Sequence, residues 1–165
     1  MTGRSRKRER CGAGAWLRIY CDGAARGNPG PAGIGGIAKN EQGAVMVEVS
    51  EFLGETTNNV AEYNALIRIL EECSGRGYEC VRIYTDSELM ANQITGGFKV
   101  KSGALRPLHA GVKALLDGYR EVQVEHIPRE KNIECDGLAN VAIDEGLAGL
   151  RRPILETGGE NQLFD

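Results

Sequence analysis

Ala15-Trp16-Leu17-Arg18-Ile19-Tyr20-Cys21-Asp22 runs directly into Gly23-Ala24-Ala25-Arg26-Gly27-Asn28-Pro29-Gly30-Pro31. The reading of this stretch decides the architecture. Its first part is a short apolar run of the kind that forms a buried strand, ending at Asp22. Its second part is dense in glycine and proline and reads as a loop. Outward from it, residues 32–39 and 44–53 predict a hairpin around Asn40-Glu41-Gln42-Gly43. Gly33, Gly35 and Gly36 in the first of these strands imply close backbone approach by a neighbour or a ligand.

Further along, Val60, Tyr63, Ile67 and Leu70 fall on one helical face and predict a helix over 58–74, closed by Gly75 and Gly77. Cys80–Thr85 reads as a strand. Asp86-Ser87 then leads into a short helix reaching about Ile94, broken at Gly96-Gly97. A helix is expected over 104–117 with Pro107 in its first turn. A strand over Val122–Ile127, a loop over Pro128–Lys131 and a helix over 132–148 complete the pattern. Three strands, a helix, a strand, helices, a strand and a helix define an α/β fold. Its sheet is mixed, an antiparallel meander continued by parallel strands through crossover helices. Ligands gather at the carboxyl ends of the parallel strands of such a sheet, where Asp22 and Asp86 are expected.

The 165 residues suit one domain. It is expected over 15–148, between a disordered basic tail (1–14) and a loose C-terminal tail (149–165). Hydrophobic residues at 41% and charged residues at 26% are those of a soluble globular chain. No apolar run approaches the roughly 18 residues of a membrane helix, and the basic N-terminus lacks the apolar stretch of a secretory signal. The five cysteines, Cys11, Cys21, Cys73, Cys80 and Cys135, contain no CxxC pair. Their odd number argues against a disulfide framework or a zinc site and for a reducing cytoplasm. The net charge of −3 is unlike the basic balance common in nucleic-acid binders. Arg4, Arg6, Lys7, Arg8 and Arg10 are concentrated in the first ten residues beside Glu9, so the remainder holds 15 basic and 22 acidic residues. Such a tail can hold phosphates, or simply solubilise the chain.

Four acids stand out, and each has an ordinary structural explanation. Asp22-Gly23 is a turn pair. Glu62, three residues after Asn59, could complete a capping box. Asp86 could cap the helix after it, and Asp136 suits the first turn of the last helix. Together they say more. If the first and fourth strands are neighbours, Asp22 and Asp86 lie side by side. Clustered carboxylates raise one another's pKa unless a cation neutralises them. An all-oxygen donor set is hard-ligand chemistry, suited to Mg²⁺ or Mn²⁺, and a pair of such ions can serve both oxygens of a phosphodiester displacement. No serine or cysteine nucleophile with a base partner is evident.

Four segments then resemble, in order, the motifs of type 1 ribonuclease H: Tyr20-Cys-Asp22-Gly-Ala-Ala-Arg-Gly-Asn28-Pro-Gly-Pro, Thr57-Asn58-Asn59-Val-Ala-Glu62, Tyr84-Thr85-Asp86-Ser87, and Ile127-Pro-Arg129-Glu-Lys-Asn132-Ile-Glu-Cys-Asp136-Gly-Leu-Ala-Asn. The acids are separated by 40, 24 and 50 residues, and the resemblance covers residues 15–148. It implies a five-stranded mixed sheet in the order 3-2-1-4-5. It further implies hydrolysis of the RNA strand of RNA–DNA hybrids with two Mg²⁺ (or Mn²⁺) ions, leaving 5′-phosphate and 3′-hydroxyl ends. Asp22, Glu62, Asp86 and Asp136 become the metal ligands. Asn28, Asn58 and Asn59 become minor-groove contacts, since an amide can both donate to and accept from a 2′-hydroxyl and base edges. The loop Pro128-Arg129-Glu130 resembles the branch reading P-R-E-x-N. There Arg129, which can stabilise phosphate charge but cannot act as a base, is assigned to catalysis ahead of His126. The long basic protrusion of some members is missing, leaving Lys99 and Lys101, near Arg106, as the basic substrate contacts. A monomer is expected; whether duplex RNA is cut stays open. The rivals are a binding-only module, which predicts a broken carboxylate, another nuclease of the same architecture, and an acid-rich metal protein outside nucleic-acid chemistry. Glu160–Phe164 faintly resembles a clamp-binding peptide.

Overall fold

The computed structural model describes residues 11–155, so the basic run before Cys11 and the Glu160–Phe164 segment lie outside it. Five strands, β1 (Trp16–Ala25), β2 (Gly30–Lys39), β3 (Val45–Thr56), β4 (Cys80–Thr85) and β5 (Glu121–His126), form one sheet in the order β3-β2-β1-β4-β5. The expected α/β class and the order 3-2-1-4-5 are both met. β1 pairs antiparallel with β2 and parallel with β4, and β4 pairs parallel with β5. The helices are α1 (Asn58–Cys73), α2 (Glu88–Ile94), α3 (Leu105–Leu116) and α4 (Ile133–Leu147).

The core lies between the sheet and α1, α2 and α3. Leu17, Ile19 and Cys21 of β1 and Val81 and Ile83 of β4 meet Leu66, Ile69 and Leu70 of α1 there, all fully or nearly fully buried. Alternation along β1 therefore sends Trp16, Arg18, Tyr20 and Asp22 to the opposite face. On that face the rings of Tyr20 and Tyr84, paired in register, stack with centroids 4.7 Å apart.

The glycines of β2 answer to helices rather than to a ligand. A Cβ on Gly33 would strike the carbonyl oxygen of Ala139, and one on Gly35 that of Cys135, so α4 crosses with its backbone against the strand. Gly36 faces the other way, where an added Cβ would stand 2.9 Å from that of Ile69 in α1.

Several expectations are corrected. β1 does not end at Asp22. Its pairing with β4 stops at Cys21–Thr85, but its pairing with β2 continues to Ala25–Ala32, because the longer antiparallel partner still supplies hydrogen bonds. The side chains of Cys11 and Cys80 are brought together, with Cα atoms 6.4 Å apart, although the odd cysteine count argued against a disulfide framework. Within the tail expected to be loose, Ile154 and Leu155 hydrogen-bond to Phe52 and Leu53 of β3 at 3.0 Å each. These two contacts use the free edge of β3, which is the outermost strand.

Candidate active site

Asp22 sits where β1 loses β4 as a partner, on the face turned away from α1. Asp86 follows the last residue of β4. Its backbone carbonyl lies 3.2 Å from Nε2 of His126. Ser87, not Asp86, caps α2, its hydroxyl accepting from the Met90 N–H. Glu62 likewise has no capping duty, since Thr57 caps α1 through the Val60 N–H. The Glu62 carboxylate instead accepts from the Gly23 N–H at 3.2 Å. Gly23 permits this: any Cβ there would strike the backbone at Ala61 and Glu62, so the bare Cα lets α1 lie against β1. The Asp22-Gly23 pair is thus a helix-packing device inside a strand, not a turn.

One carboxylate oxygen each from Asp22, Glu62 and Asp86 can be chosen so that all three lie within 4.8 Å of one another. Asp136, in the first turn of α4, lines the same cleft as Asp22. Burial, followed by the charges of Asp86 and Asp136, pushes the Asp22 carboxyl from 3.8 to about 8. Burial, then Asp22 and Asp86, also holds Glu62 well above the usual carboxylate range, with the Gly23 N–H pulling partly the other way. Protons held this tightly mark a site short of positive charge. The donors are oxygens only, so the residues present fit a hard divalent cation.

The cleft encloses about 450 Å³ and is also lined by Asn58, Asn59, Ser87 and Arg129. Asn28 does not line it directly. Its side-chain oxygen accepts from the Asn58 N–H at 3.1 Å, while that of Asn58 accepts from the Ala25 N–H at 2.9 Å, lacing the β1–β2 loop to the start of α1. Lys99 and Lys101 are not brought to the cleft; both stand exposed in the segment joining α2 to α3. Two further residues had no separate role in the sequence reading. Arg26 bridges from the end of β1 to Asp144 of α4 at 2.7 Å. Asn132, just before α4, is 2% exposed and sends its amide into the carboxylate site. Its place inside the fourth motif was the one available signal.

The family model described as Reverse transcriptase-like matches residues 20–142. Ribonuclease HI of Halobacterium salinarum is 37% identical over 132 residues, which is 80% of this chain and 66% of that protein. Ribonuclease H of Syntrophomonas wolfei is 39% identical, over 76% of this chain and 94% of its own length. LC11-RNase H1, solved in complex with an RNA/DNA hybrid, is 45% identical with a TM-score of 0.76, over 79% of this chain and 99% of that one. The chain spans only 35% and 49% of the length of some other curated relatives. The sheet order and the carboxylates gathered at β1 and β4 place the molecule in the ribonuclease-H-like class of folds. Within that class, the chain belongs to the ribonuclease H family of enzymes.

Proposed function

We propose that the chain is an endonuclease that hydrolyses the RNA strand of RNA–DNA hybrids by a two-metal-ion mechanism, leaving 5′-phosphate and 3′-hydroxyl ends. The convergence of the Asp22, Glu62 and Asp86 oxygens, with Asp136 beside them in a cleft edged by asparagines, carries this reading. The neighbour solved with an RNA/DNA hybrid supports the substrate class. None of the four carboxylates is broken, which speaks against a binding-only module.

Asp22, Glu62, Asp86 and Asp136 would hold Mg²⁺ or Mn²⁺. Bound there, the ions neutralise the cluster and supply positive charge to the attacking and leaving oxygens. Asn58 and Asn59 present amides to the minor groove and sense the 2′-hydroxyl, while Asn28 fixes their loop. Arg129 stabilises charge developing on the phosphate, as a guanidinium always protonated can. His126 holds the Asp86 backbone instead of shuttling protons.

The chain falls in the branch with a P-R-E-x-N loop and no long basic protrusion. Its catalytic unit is residues 15–148, flanked by a basic N-terminal tail and a C-terminal tail. It acts as a monomer in the cytoplasm, with Lys99 and Lys101 as outlying contacts to the hybrid. Incubation of end-labelled hybrid, duplex DNA and duplex RNA with the protein and Mg²⁺, read on a denaturing gel, tests the reading. Cutting confined to the RNA of the hybrid is expected; comparable cutting of duplex DNA would make the chain a general nuclease.

A further inference from the structure

Asn132 stands at the helix-capping position before α4, yet its side chain makes no cap hydrogen bond. Its Nδ2 instead donates to the carbonyl oxygen of Cys21 at 2.9 Å and to Oδ2 of Asp86 at 3.3 Å. These contacts join three elements at one point. Cys21 immediately precedes Asp22 and, with Thr85, is the last pair of the parallel β1–β4 ladder. Asp86 lies just beyond β4, and Asp136 is four residues after Asn132, its N–H bonded to the Asn132 carbonyl at 3.1 Å. The amide orientation follows from its partners. Both are acceptors, so only the NH₂ end can face them. Oδ1 is then left buried without a partner, alone in this among the buried side-chain polar atoms of the described residues.

A buried acceptor without a donor costs stability, and here that cost falls on Oδ1 because the NH₂ is turned to the Cys21 carbonyl and the Asp86 carboxylate. The orientation of the amide is thus set by the end of β1 and by the carboxylate site, not by the cap of α4. We propose that Asn132 is a positioning residue for the carboxylate site: its amide holds the Asp86 carboxylate against the end of β1 and fixes the start of α4, so that Asp22, Asp86 and Asp136 converge. The inference rests on the reading of those carboxylates as ligands of a divalent cation. Hydrogen bonds from groups behind a ligating carboxylate orient it, and their loss lowers metal affinity or activity by about 10–100-fold.

The test compares the full chain with Asn132→Leu by Mn²⁺ calorimetry, thermal unfolding in EDTA, and hybrid cleavage across Mn²⁺ concentrations. The Leu variant leaves the Cys21 carbonyl without its side-chain donor and should unfold in EDTA about 3–10 °C below wild type while still folding. Its Mn²⁺ affinity should fall about 10–100-fold. Its kcat should drop while KM for the hybrid changes little, a split that a purely structural role would not produce. Wild-type Mn²⁺ affinity and turnover in the folded Leu variant would overturn the proposal while leaving the metal reading intact. If the wild-type chain itself binds no Mn²⁺, both fall together. Should the Leu variant not fold, NMR on the wild type decides. The Asn132 side-chain NH₂ resonances should shift and gain exchange protection on addition of Mg²⁺, and an unmoved pair refutes the role.

Discussion

Asp22→Asn removes one negative charge from the most crowded point of the site while keeping the shape of the side chain. Asp22 is 5% exposed, and in the fold its carboxyl titrates near 8 in place of 3.8. Between those limits the folded chain holds a proton that the unfolded chain has released. Stability from this group is therefore complete below pH 3.8 and is lost as pH rises through about 8. At about 1.4 kcal/mol per tenfold, the whole gap sets a ceiling on the order of 5 kcal/mol. Glu62 titrates high beside it, so the cost is shared, and one neutral amide should recover roughly 1–3 kcal/mol of metal-free stability at pH 8. For a domain of this size that is a rise in Tm of about 3–10 °C. The assay is thermal unfolding followed by circular dichroism in EDTA between pH 4 and 8.5. The wild-type Tm should fall as pH rises, the variant's should fall less, and the two should converge near pH 4. With Mg²⁺ added, the wild type should gain more than the variant, and cleavage by the variant should be abolished. A variant less stable than wild type at pH 8 in EDTA would refute the electrostatic reasoning, and full cleavage activity would refute the ligand assignment.

Chelation should stop hybrid cleavage and Mg²⁺ or Mn²⁺ should restore it, because four converging carboxylates cannot hydrolyse a phosphodiester unaided; turnover persisting in EDTA would rule out metal dependence. A substrate whose RNA strand is entirely 2′-deoxy should survive under conditions that consume the hybrid, as the asparagines lose the hydroxyl they read. Arg129→Ala should lower kcat by roughly 10–1000-fold with a smaller change in KM, and Arg129→Lys should recover only part of it. His126→Ala should be mild with an unchanged pH–rate profile; a crippled His126 variant beside a nearly normal Arg129 variant would reverse the two roles. Gly35→Ala should destabilise by about 1–3 kcal/mol in urea unfolding, since its Cβ meets the Cys135 carbonyl, whereas an unchanged midpoint would mean that α4 packs less closely than described.

The local patterns were legible because they depend on neighbours in the chain. The apolar run 16–21 marks the start of β1, and the helical spacing of Val60, Tyr63, Ile67 and Leu70 and the glycines at 75 and 96 mark helices whose observed bounds fall close to the expected ones. The four acids and their order were also in the sequence, as was the loop bearing Arg129. The sequence by itself could say that these groups belong to one family pattern and one sheet type. It could not say which duty each residue performs, because Asp22-Gly23, Asn59-x-x-Glu62 and Asp86-Ser87 each match a turn or cap equally well. Tertiary structure decided that Gly23 exists to admit α1, that Thr57 and Ser87 do the capping, and that Glu62 and Asp86 are thereby free to face Asp22. It also decided that Lys99 and Lys101 stand away from the cleft, that Cys11 meets Cys80, and that Asn132 reaches Cys21 and Asp86. The physical reason is distance along the chain. Propensity and periodicity act over a few residues. The partners of Gly23, Cys11 and Asn132 lie dozens of residues away, and only the packing of α1 and α4 on the sheet and, for Cys11, the pairing of β1 with β4 bring them within reach.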